Sequence, residues 1–308
     1  MFKKKEKWMT KHINFDKKIP ERKYKEENVY RIAKREEYSP VTFMWEIEAP
    51  DVAQAVQPGH FVIVKHGAQG ERIPLTVADF DREKGTVTLV IQAVGKSTKM
   101  FQLLKEGEYI ENFVGPLGIA SHLEKKEGKI VCVGGGLGVA PVFPQLRKLK
   151  ELGNHTVSIV GFRNKELIFW KDKFEKYSDE LLIATDDGSY GTKGFVTTVL
   201  EKVINENDDI AEVIAIGPLV MMKACVEMTR PKNIKTMVSL NPVMVDGTGM
   251  CGCCRVSVGG KMRFACVDGP DFDGHAVDFD ELLKRQCRFE TEEKECLNSW
   301  DGTCHSID

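Results

Sequence analysis

The first part of the chain consists of short apolar runs of strand length, separated by turn residues. Runs rich in β-branched and aromatic residues predict six strands, at 29–34, 41–47, 60–65, 75–79, 86–93 and 109–114. Only residues 98–104 have the pattern of a helical turn. Strands that follow one another with so little helix predict a small six-stranded antiparallel β-barrel.

From residue 129 the pattern changes to short apolar strands that alternate with helix-length segments. Strands are predicted at 130–133, 157–160, 181–184, 213–216 and 236–240, and helices begin near Ala140, Lys165, Phe195 and Leu219. Such alternation is typical of a parallel sheet with helices on both faces, so we predict a five-stranded α/β domain.

These patterns divide the chain into two domains, a compact glycine- and cysteine-rich segment, and two polar ends. We predict a basic N-terminal arm at 1–28, a β-barrel at 29–124, an α/β domain at 125–240, a cysteine-rich segment at 241–287 and a tail at 288–308. The arm either stays mobile or becomes ordered on a partner subunit. The tail carries no predicted function.

Composition limits the classes of partner. The 308 residues are 42% hydrophobic and 29% charged, as in ordinary globular proteins, and suffice for two or three domains. A net charge of −2 gives no reason to expect a nucleic acid or an anionic membrane. No apolar stretch approaches the roughly 18 residues that span a bilayer, and residues 1–28 lack the apolar region of a secretory signal.

Cysteine usage indicates the redox compartment. Nine cysteines are present, and four of them lie between Cys251 and Cys266. An odd and clustered set fits thiolate metal ligands in a reducing cytoplasm better than a disulfide framework.

The cysteine-rich segment carries the most specific motif. Asp246, Cys251, Cys254 and Cys266 follow D-x4-C-x2-C-x11-C, the spacing with which plant-type [2Fe–2S] motifs begin, with aspartate in the first place. Two alternatives stay open. Asp246 could be a turn aspartate that accepts hydrogen bonds from its own backbone, or the thiols could hold zinc with the help of Cys253 or a distant cysteine. Cys253 is otherwise a bystander, because adjacent side chains point apart.

A glycine run from Val133 to Pro141 follows a predicted strand and opens a helix. Glycine allows close approach to a phosphate, and a helix N-terminus supplies free N–H groups. The run departs from G-x-G-x-x-G, and Arg163 rather than an acidic residue follows the second strand. The pattern favours a nicotinamide nucleotide without choosing NAD or NADP, although a purely structural turn is the alternative.

Two polar stretches in the predicted barrel flank the strand at 86–93. Arg72 to Thr76 combines a cation, a proline and a hydroxyl, and Val94 to Thr98 combines glycine and hydroxyls with a helix start. A guanidinium group binds a pyrophosphate through paired hydrogen bonds. Each stretch alone is weak evidence, but together they predict a flavin site.

In the order in which they occur, these motifs resemble the ferredoxin–NADP reductase superfamily. The resemblance rests on Arg72-x-Pro-Leu-Thr76, the glycine run, residues 185–191 and Gly217-Pro218, and covers about residues 29–285. With the cysteine-rich segment, the chain resembles the electron-transfer subunit of class B dihydroorotate dehydrogenase. Because aspartate stands at position 246 in place of the first cysteine, the chain resembles the small subunit of the NADH-dependent reduced ferredoxin:NADP oxidoreductases more closely.

The resemblance implies three sets of contacts. It implies FAD pyrophosphate contacts from Arg72, Thr76, Gly95, Ser97 and Thr98, and an isoalloxazine ring along Pro74, Leu75, Val90, Ile91 and Gln92. It implies nicotinamide nucleotide contacts from Gly135, Gly136, Gly138, Arg163, Asp186, Gly217 and Pro218. It implies cluster ligation by Asp246, Cys251, Cys254 and Cys266.

The implied function is that of a flavin-dependent NAD(P)H oxidoreductase subunit with FAD, a [2Fe–2S] cluster and NAD(H), in an electron-bifurcating complex. Hydride exchange between nicotinamide and flavin needs no catalytic side chain, and none is predicted. By resemblance, the partner is a larger flavoprotein with [4Fe–4S] clusters that binds NADP and ferredoxin. The rivals are the dihydroorotate dehydrogenase electron-transfer subunit and, in a different class, a zinc-binding interaction module without turnover.

Overall fold

The computed structural model describes residues 30–67, 70–300 and 302. The predicted N-terminal arm at 1–28 and the last six residues of the predicted tail lie outside the described residues.

The first domain contains eight strands and two helices. They are β1 (Tyr30–Ser39), β2 (Thr42–Glu48), α1 (Pro50–Ala55), β3 (Phe61–Lys65), β4 (Ile73–Thr76), β5 (Asp79–Asp81), β6 (Thr86–Gln92), α2 (Lys96–Leu103), β7 (Tyr109–Ile110) and β8 (Asn112–Leu117). A five-stranded sheet in the order β5-β6-β2-β1-β7 and a three-stranded sheet in the order β4-β3-β8 are both antiparallel throughout.

The prediction of six strands was wrong, because two of the predicted strands each form two. The predicted strand at 75–79 divides where the backbone passes from one sheet to the other. Val77 N–H donates to His60 O, whereas Ala78 N–H donates to Thr88 O. The predicted strand at 109–114 divides between β7 and β8, which belong to different sheets.

Alternation along β2 explains how this domain packs. Phe43, Trp45 and Ile47 point into the core between the two sheets and are fully buried. Met44 points the other way, into an apolar cluster that the first domain shares with the second. Because successive side chains of a strand point to opposite sides, β2 is buried on both of its faces.

The second domain is an α/β unit around a seven-stranded sheet. Its elements are β9 (Lys129–Gly135), α3 (Val139–Glu151), β10 (His155–Phe162), α4 (Lys171–Tyr177), β11 (Glu180–Thr185), β12 (Thr192–Lys193), α5 (Val196–Glu206), β13 (Ile210–Ile216), α6 (Leu219–Thr229) and β14 (Thr236–Ser239). The order is β12-β11-β10-β9-β13-β14-β17, where β17 (Asp271–Asp273) comes from the cysteine-rich segment.

All five predicted parallel strands are present, but the count of five was wrong. The short polar strand β12 adds a sixth parallel strand, and β17 pairs with β14 in the antiparallel direction. Neither has the apolar run of a buried strand, because each forms an edge of the sheet. Three predicted helix starts agree with the structure, whereas near Lys165 a 3₁₀ turn (Lys165–Leu167) precedes α4.

The cysteine-rich segment is docked on the second domain. After a loop without regular structure come β15 (Arg255–Val258), β16 (Lys261–Phe264), α7 (Ala265–Asp268), β17 and α8 (Phe279–Gln286). Val256, Cys266 and Leu282 belong to the same buried cluster as Val131 and Val213 of the central strands. The predicted domain limits stay predictions. Residues on both sides of the predicted limit at residue 240 contribute to the same core and to the same sheet.

The tail contains one further helix. This helix, α9 (Glu290–Asn298), contacts α2 of the first domain.

The first two domains are held together by an apolar cluster and a group of charges. Val90 on β6 packs with Val139 and Ala140 at the start of α3. Asp79 on β5 forms ion pairs with Arg147 and Lys173, the second at 2.9 Å. This packing brings β6 next to the glycine run. Within the described part of the chain, no helix combines the length and the apolar character needed to cross a bilayer.

Candidate functional site

The carboxyl edge of the parallel sheet collects the predicted nucleotide-binding residues. β9, β10, β11 and β13 all end at this edge, with Gly134 paired to both Val160 and Ile216. Asp186 N–H donates to Phe162 O at 3.1 Å, so the loops after β10 and β11 lie side by side. The site residues that come together here are Gly135, Gly136, Gly138, Arg163, Asp186, Gly217 and Pro218. In open α/β sheets, ligands bind beyond this edge.

The glycines of the run serve two different purposes. A Cβ atom at Gly138 would lie 2.2 Å from Ile216 O and 2.6 Å from Gly217 Cα, so glycine is required for the two turns to meet. A Cβ atom at Gly135 would come similarly close to the side chain of Met221. Gly136 has φ +57° and nothing within 4 Å of its Cβ position, which leaves room for a phosphate at the start of α3.

Arg163 supplies a positive charge beside these turns. It is exposed at the end of β10, and its guanidinium group has no ion-pair or hydrogen-bond partner among residues 30–67, 70–300 and 302. Such a group is available to a nucleotide phosphate.

In the first domain, the start of α2 forms the second predicted phosphate site. Thr98 Oγ1 accepts hydrogen bonds from Val94 N–H and Gly95 N–H, both at 3.1 Å. Buried Ser97 donates to Glu71 Oε2 at 2.7 Å, which ties this turn to the segment before β4 and Thr76. No atom lies within 4 Å of the Cβ position of Gly95. A helix N-terminus with open space at its cap fits a pyrophosphate.

Arg72 contacts the cysteine-rich segment instead of this turn. Its Nε donates to Val245 O at 2.8 Å and its Nη2 to Asp246 O at 3.5 Å. Its contact with the FAD pyrophosphate therefore stays a prediction. Two of the residues predicted to lie along the flavin ring, Pro74 and Leu75, follow Arg72 on β4. The observed hydrogen bonds therefore connect the start of this strand to the loop that carries the predicted cluster ligands.

The residues predicted to lie along the isoalloxazine ring differ in exposure. Pro74 and Leu75 are half-buried on β4, and Gln92 is exposed. Val90 faces the second domain. The Ile91 side chain is fully buried in the core of the first domain, because neighbouring residues of a strand face opposite sides. Only the main chain of Ile91 remains for contact with a ring.

The loop at 245–254 wraps around the predicted cluster ligands. Gly247, Gly249 and Gly252 have φ of +76°, +83° and +68°, conformations that favour glycine. Asp246 accepts hydrogen bonds from Thr248 N–H and Cys251 N–H, each at 2.8 Å. This is the pattern of a turn aspartate, so ligation by Asp246 stays a prediction.

Two of the predicted cysteine ligands converge. Cys254 Sγ lies 3.2 Å from Cys266 Sγ, and both side chains are buried, whereas Cys251 is exposed. Burial, together with the Cys254 contact, raises the pKa of Cys266 to about 12. Hydrogen bonding from the Cys253 backbone lowers the pKa of the exposed Cys251 thiol. A bound metal ion removes the proton from a coordinating thiol, so the buried pair fits thiolate ligation.

The structure does not bring the full predicted set to one point. Over the described ranges, no three His, Cys, Asp or Glu side chains are arranged as a metal-binding group. The two buried thiols and the loop of left-handed glycines are the features that fit an iron–sulfur cluster.

Comparison with protein families agrees with this geometry. Residues 241–278 match the iron–sulfur cluster binding domain of dihydroorotate dehydrogenase B. Residues 132–227 match the oxidoreductase NAD-binding domain. The prediction of an iron–sulfur cluster and of NAD(H) as cofactors is thereby confirmed.

Whole-chain relatives decide the family. A protein of Thermotoga maritima described as a homolog of the dihydroorotate dehydrogenase B (NAD(+)) electron transfer subunit is 46% identical over 264 residues, covering 85% of this chain and 92% of the relative. The corresponding Fusobacterium nucleatum electron transfer subunit is 33% identical, over 74% of this chain and 90% of that protein. The chain belongs to the dihydroorotate dehydrogenase B electron transfer subunit family.

Solved structures confirm the ferredoxin-reductase-like fold on which the FAD prediction rested. A chain in a structure of the NADH-dependent reduced ferredoxin-NADP oxidoreductase superposes with a TM-score of 0.83 at 43% identity, covering 88% of this chain and 97% of that chain. A ferredoxin NADP+ reductase from Neisseria gonorrhoeae with bound FAD and NADP shares the fold alone, with a TM-score of 0.55 and 15% identity over 66% of this chain and 90% of that one. This member of the electron transfer subunit family is thus an oxidoreductase subunit.

Sequence reasoning missed three groups of residues that only the fold brings together. They are the ion pairs of Asp79 with Arg147 and Lys173, the buried group of Ser121, Gln145 and Asp271, and a pocket that contains Arg255, Arg285 and Arg288. The members of the first two groups are far apart along the chain, and no local motif marks any of the three.

Asp271 on β17 is half-buried where the three segments meet, and its Oδ1 atom is shielded from solvent. Its Oδ2 accepts hydrogen bonds from Ser121 Oγ at 2.5 Å and Gln145 Nε2 at 3.2 Å, while Oδ1 has no partner among the described residues. Burial raises the pKa of this carboxyl above its ordinary value, and the hydrogen bonds oppose the shift. The Asp271 carboxyl group therefore stays protonated up to a higher pH in the folded protein than in the unfolded chain.

This raised pKa predicts how Asp271→Asn changes the pH dependence of stability. The native protein loses stability as the pH rises from the unfolded pKa through the folded pKa, by about 1.4 kcal/mol for each pH unit between these two pKa values. The variant lacks this loss, so its melting temperature relative to wild type should rise as the pH increases above the ordinary carboxyl pKa of about 4. Thermal unfolding measured as a function of pH tests this prediction, with Asp273→Asn at the exposed end of the same strand as control. A difference that is independent of pH would contradict the assignment.

Proposed function

We propose that this chain is the NAD(H)-binding electron-transfer subunit of an electron-bifurcating NADH-dependent reduced ferredoxin:NADP oxidoreductase. It exchanges hydride between NAD(H) and FAD, and single electrons leave through the [2Fe–2S] cluster for a larger partner subunit. That partner is a flavoprotein with [4Fe–4S] clusters that binds NADP and ferredoxin, and the complex works in the cytoplasm.

The observation that carries this proposal is the order of contacts around the first domain. β6 contacts the glycine run before α3, whereas Arg72, Ile63 on β3 and Leu117 on β8 contact the cysteine loop. A Cβ atom at Gly247 would lie 2.8 Å from Leu117 Cδ1, so the loop packs directly on β8. The first domain thus contacts both the glycine run and the cysteine loop, as electron transfer from one proposed site to the other requires.

The chain's own residues bind and position the reactants. The first turn of α3 and Arg163 hold the nucleotide phosphates, and the first turn of α2 holds the FAD pyrophosphate. FAD, when bound, accepts two electrons as a hydride and releases them singly. Val90, Val139 and Ala140 belong to one buried apolar cluster at the junction between the first two domains.

A second candidate is the electron-transfer subunit of dihydroorotate dehydrogenase B itself, because several relatives carry that description. Similarity to the bifurcating enzyme extends over 97% of the matched chain at 43% identity, and we favour it for that reason. Asp246 in the first ligand position supports the same choice through the resemblance noted from the sequence.

Isolation of the native complex separates the two candidates. A tagged chain purified without oxygen from its host should bring down a flavoprotein subunit with [4Fe–4S] clusters. The complex should reduce NADP with NADH and reduced ferredoxin together. Reduction of the complex by dihydroorotate, with no response to NADPH, would assign it to the second candidate.

A further inference from the structure

A pocket beside the cysteine loop gathers three arginines. Arg255 comes from β15, Arg285 from α8, and Arg288 from the 3₁₀ turn (Cys287–Phe289) that follows it. The exposed ligand candidate Cys251 and its neighbour Cys253 line the same pocket. The arginines therefore lie at the solvent-facing side of the predicted cluster site.

Within the described residues, two of the guanidinium groups in this pocket are held by backbone carbonyls and not by ion pairs. Arg285 Nη2 donates to Cys253 O at 3.2 Å and Arg255 Nη1 to Gly252 O at 3.4 Å, so both guanidinium groups are held at the loop by backbone carbonyls. Throughout the described ranges, none of the three forms an ion pair with a carboxylate. The nearest acid on α8, Glu281, accepts a hydrogen bond from Ser257.

Like charges at such close quarters repel one another. Burial and the guanidinium groups of Arg255 and Arg288 lower the pKa of Arg285 from its ordinary value. An anion that entered the pocket would relieve this repulsion and could form forked hydrogen bonds with a guanidinium group.

Apolar side chains surround the arginines. Val243 and Phe289 line the pocket and remain exposed, and Met250 on the same loop is 88% exposed. Exposed Met and aromatic side chains together with Arg are the composition of protein–protein interfaces, in which a few such residues supply most of the binding energy. A free small anion would use the charges but would leave these apolar groups in water.

We propose that this pocket, formed by Arg255, Arg285 and Arg288, receives a carboxylate side chain from the larger partner subunit. The proposal rests on the proposed function, because electrons that leave near Cys251 need an acceptor protein docked at this face. The arginine pocket would fix the position of that protein, with the partner's apolar residues against Val243, Met250 and Phe289.

The test measures binding of the subunit that co-purifies with the tagged chain. Arg285→Gln/Arg288→Gln should raise the dissociation constant of that subunit at least tenfold at low salt and should flatten its salt dependence. Lys34→Gln/Lys202→Gln, which removes two exposed charges elsewhere, should bind as wild type does. Iron content, FAD content and flavin reduction by NADH should be unchanged in both double variants.

The other outcomes separate failure of the docking proposal from failure of the proposed function. An unchanged dissociation constant overturns it, even if inorganic phosphate or ADP binds the wild-type chain and not the variant, since the pocket would then be a small-anion site. Arg288→Gln alone, at an exposed position, replaces the double variant if that variant loses iron. If NADH does not reduce the flavin of the wild-type chain, the proposed function is overturned. The binding measurement then still tests whether the pocket docks the co-purifying subunit. If no redox subunit co-purifies, both fail.

Discussion

Cys254→Ser is expected to yield a protein that contains flavin but almost no iron or acid-labile sulfide. Cys254 Sγ lies 3.2 Å from Cys266 Sγ in a buried position, where we expect no water molecule to take the place of its thiolate. Serine preserves the size of the side chain, but its oxygen is a harder and more basic ligand that iron–sulfur clusters rarely accept. Iron and sulfide analysis, together with electron paramagnetic resonance of the reduced protein, measures the loss.

Cys253→Ser is the matched control for this prediction. Cys253 lies next to Cys254 in the sequence, but its side chain lines the surface pocket and lies outside the predicted ligand set, so we expect full iron content in this variant. Flavin reduction by NADH should survive in both variants, because the nucleotide and flavin sites lie on other elements. Equal iron in the two variants would remove Cys254 from the ligand set.

Gly138→Val is expected to abolish reduction of the flavin by NADH while dithionite still reduces it. Even the first carbon of the new side chain would lie 2.2 Å from Ile216 O, and main-chain atoms cannot rotate away as a flexible side chain can. The turns after β9 and β13 must separate, which costs about 1–3 kcal/mol of overpacking and disrupts the phosphate site. Stopped-flow absorbance at the flavin band measures the rate of reduction by NADH.

Gly260→Asn serves as control for Gly138→Val. Gly260 has φ +69° in the β15–β16 turn with nothing within 4 Å of its Cβ position, and asparagine tolerates this conformation. Its reduction rate should match wild type. A Gly138→Val protein that NADH reduces at the wild-type rate would contradict the placement of the nucleotide at this turn.

The class of each domain could be predicted from periodicity, because burial imposes it locally. Phe43, Trp45 and Ile47 alternate with residues that face elsewhere, and the apolar strands from β9 to β14 lie between helices. Strand counts failed where the cause was not local. The division at Val77 and Ala78 depends on a change of hydrogen-bonding partner between sheets, and β17 has no strand-like pattern of its own.

The candidate site was predictable where chemistry follows sequence spacing. The cysteine spacing and the glycine run each lie within a short segment, and both matched a family domain. The partner of Arg72 was not predictable, since Val245 lies 173 residues further along the chain. The arginine pocket is equally invisible in the sequence, because a β-strand, a helix and a turn contribute one arginine each.

Metal and flavin analysis of the chain purified without oxygen tests the central claim most directly. We expect about two iron atoms and two acid-labile sulfides per chain, as a [2Fe–2S] cluster requires, together with one FAD that NADH bleaches. A colourless protein that contains zinc in place of iron and sulfide, and no flavin, would contradict the account.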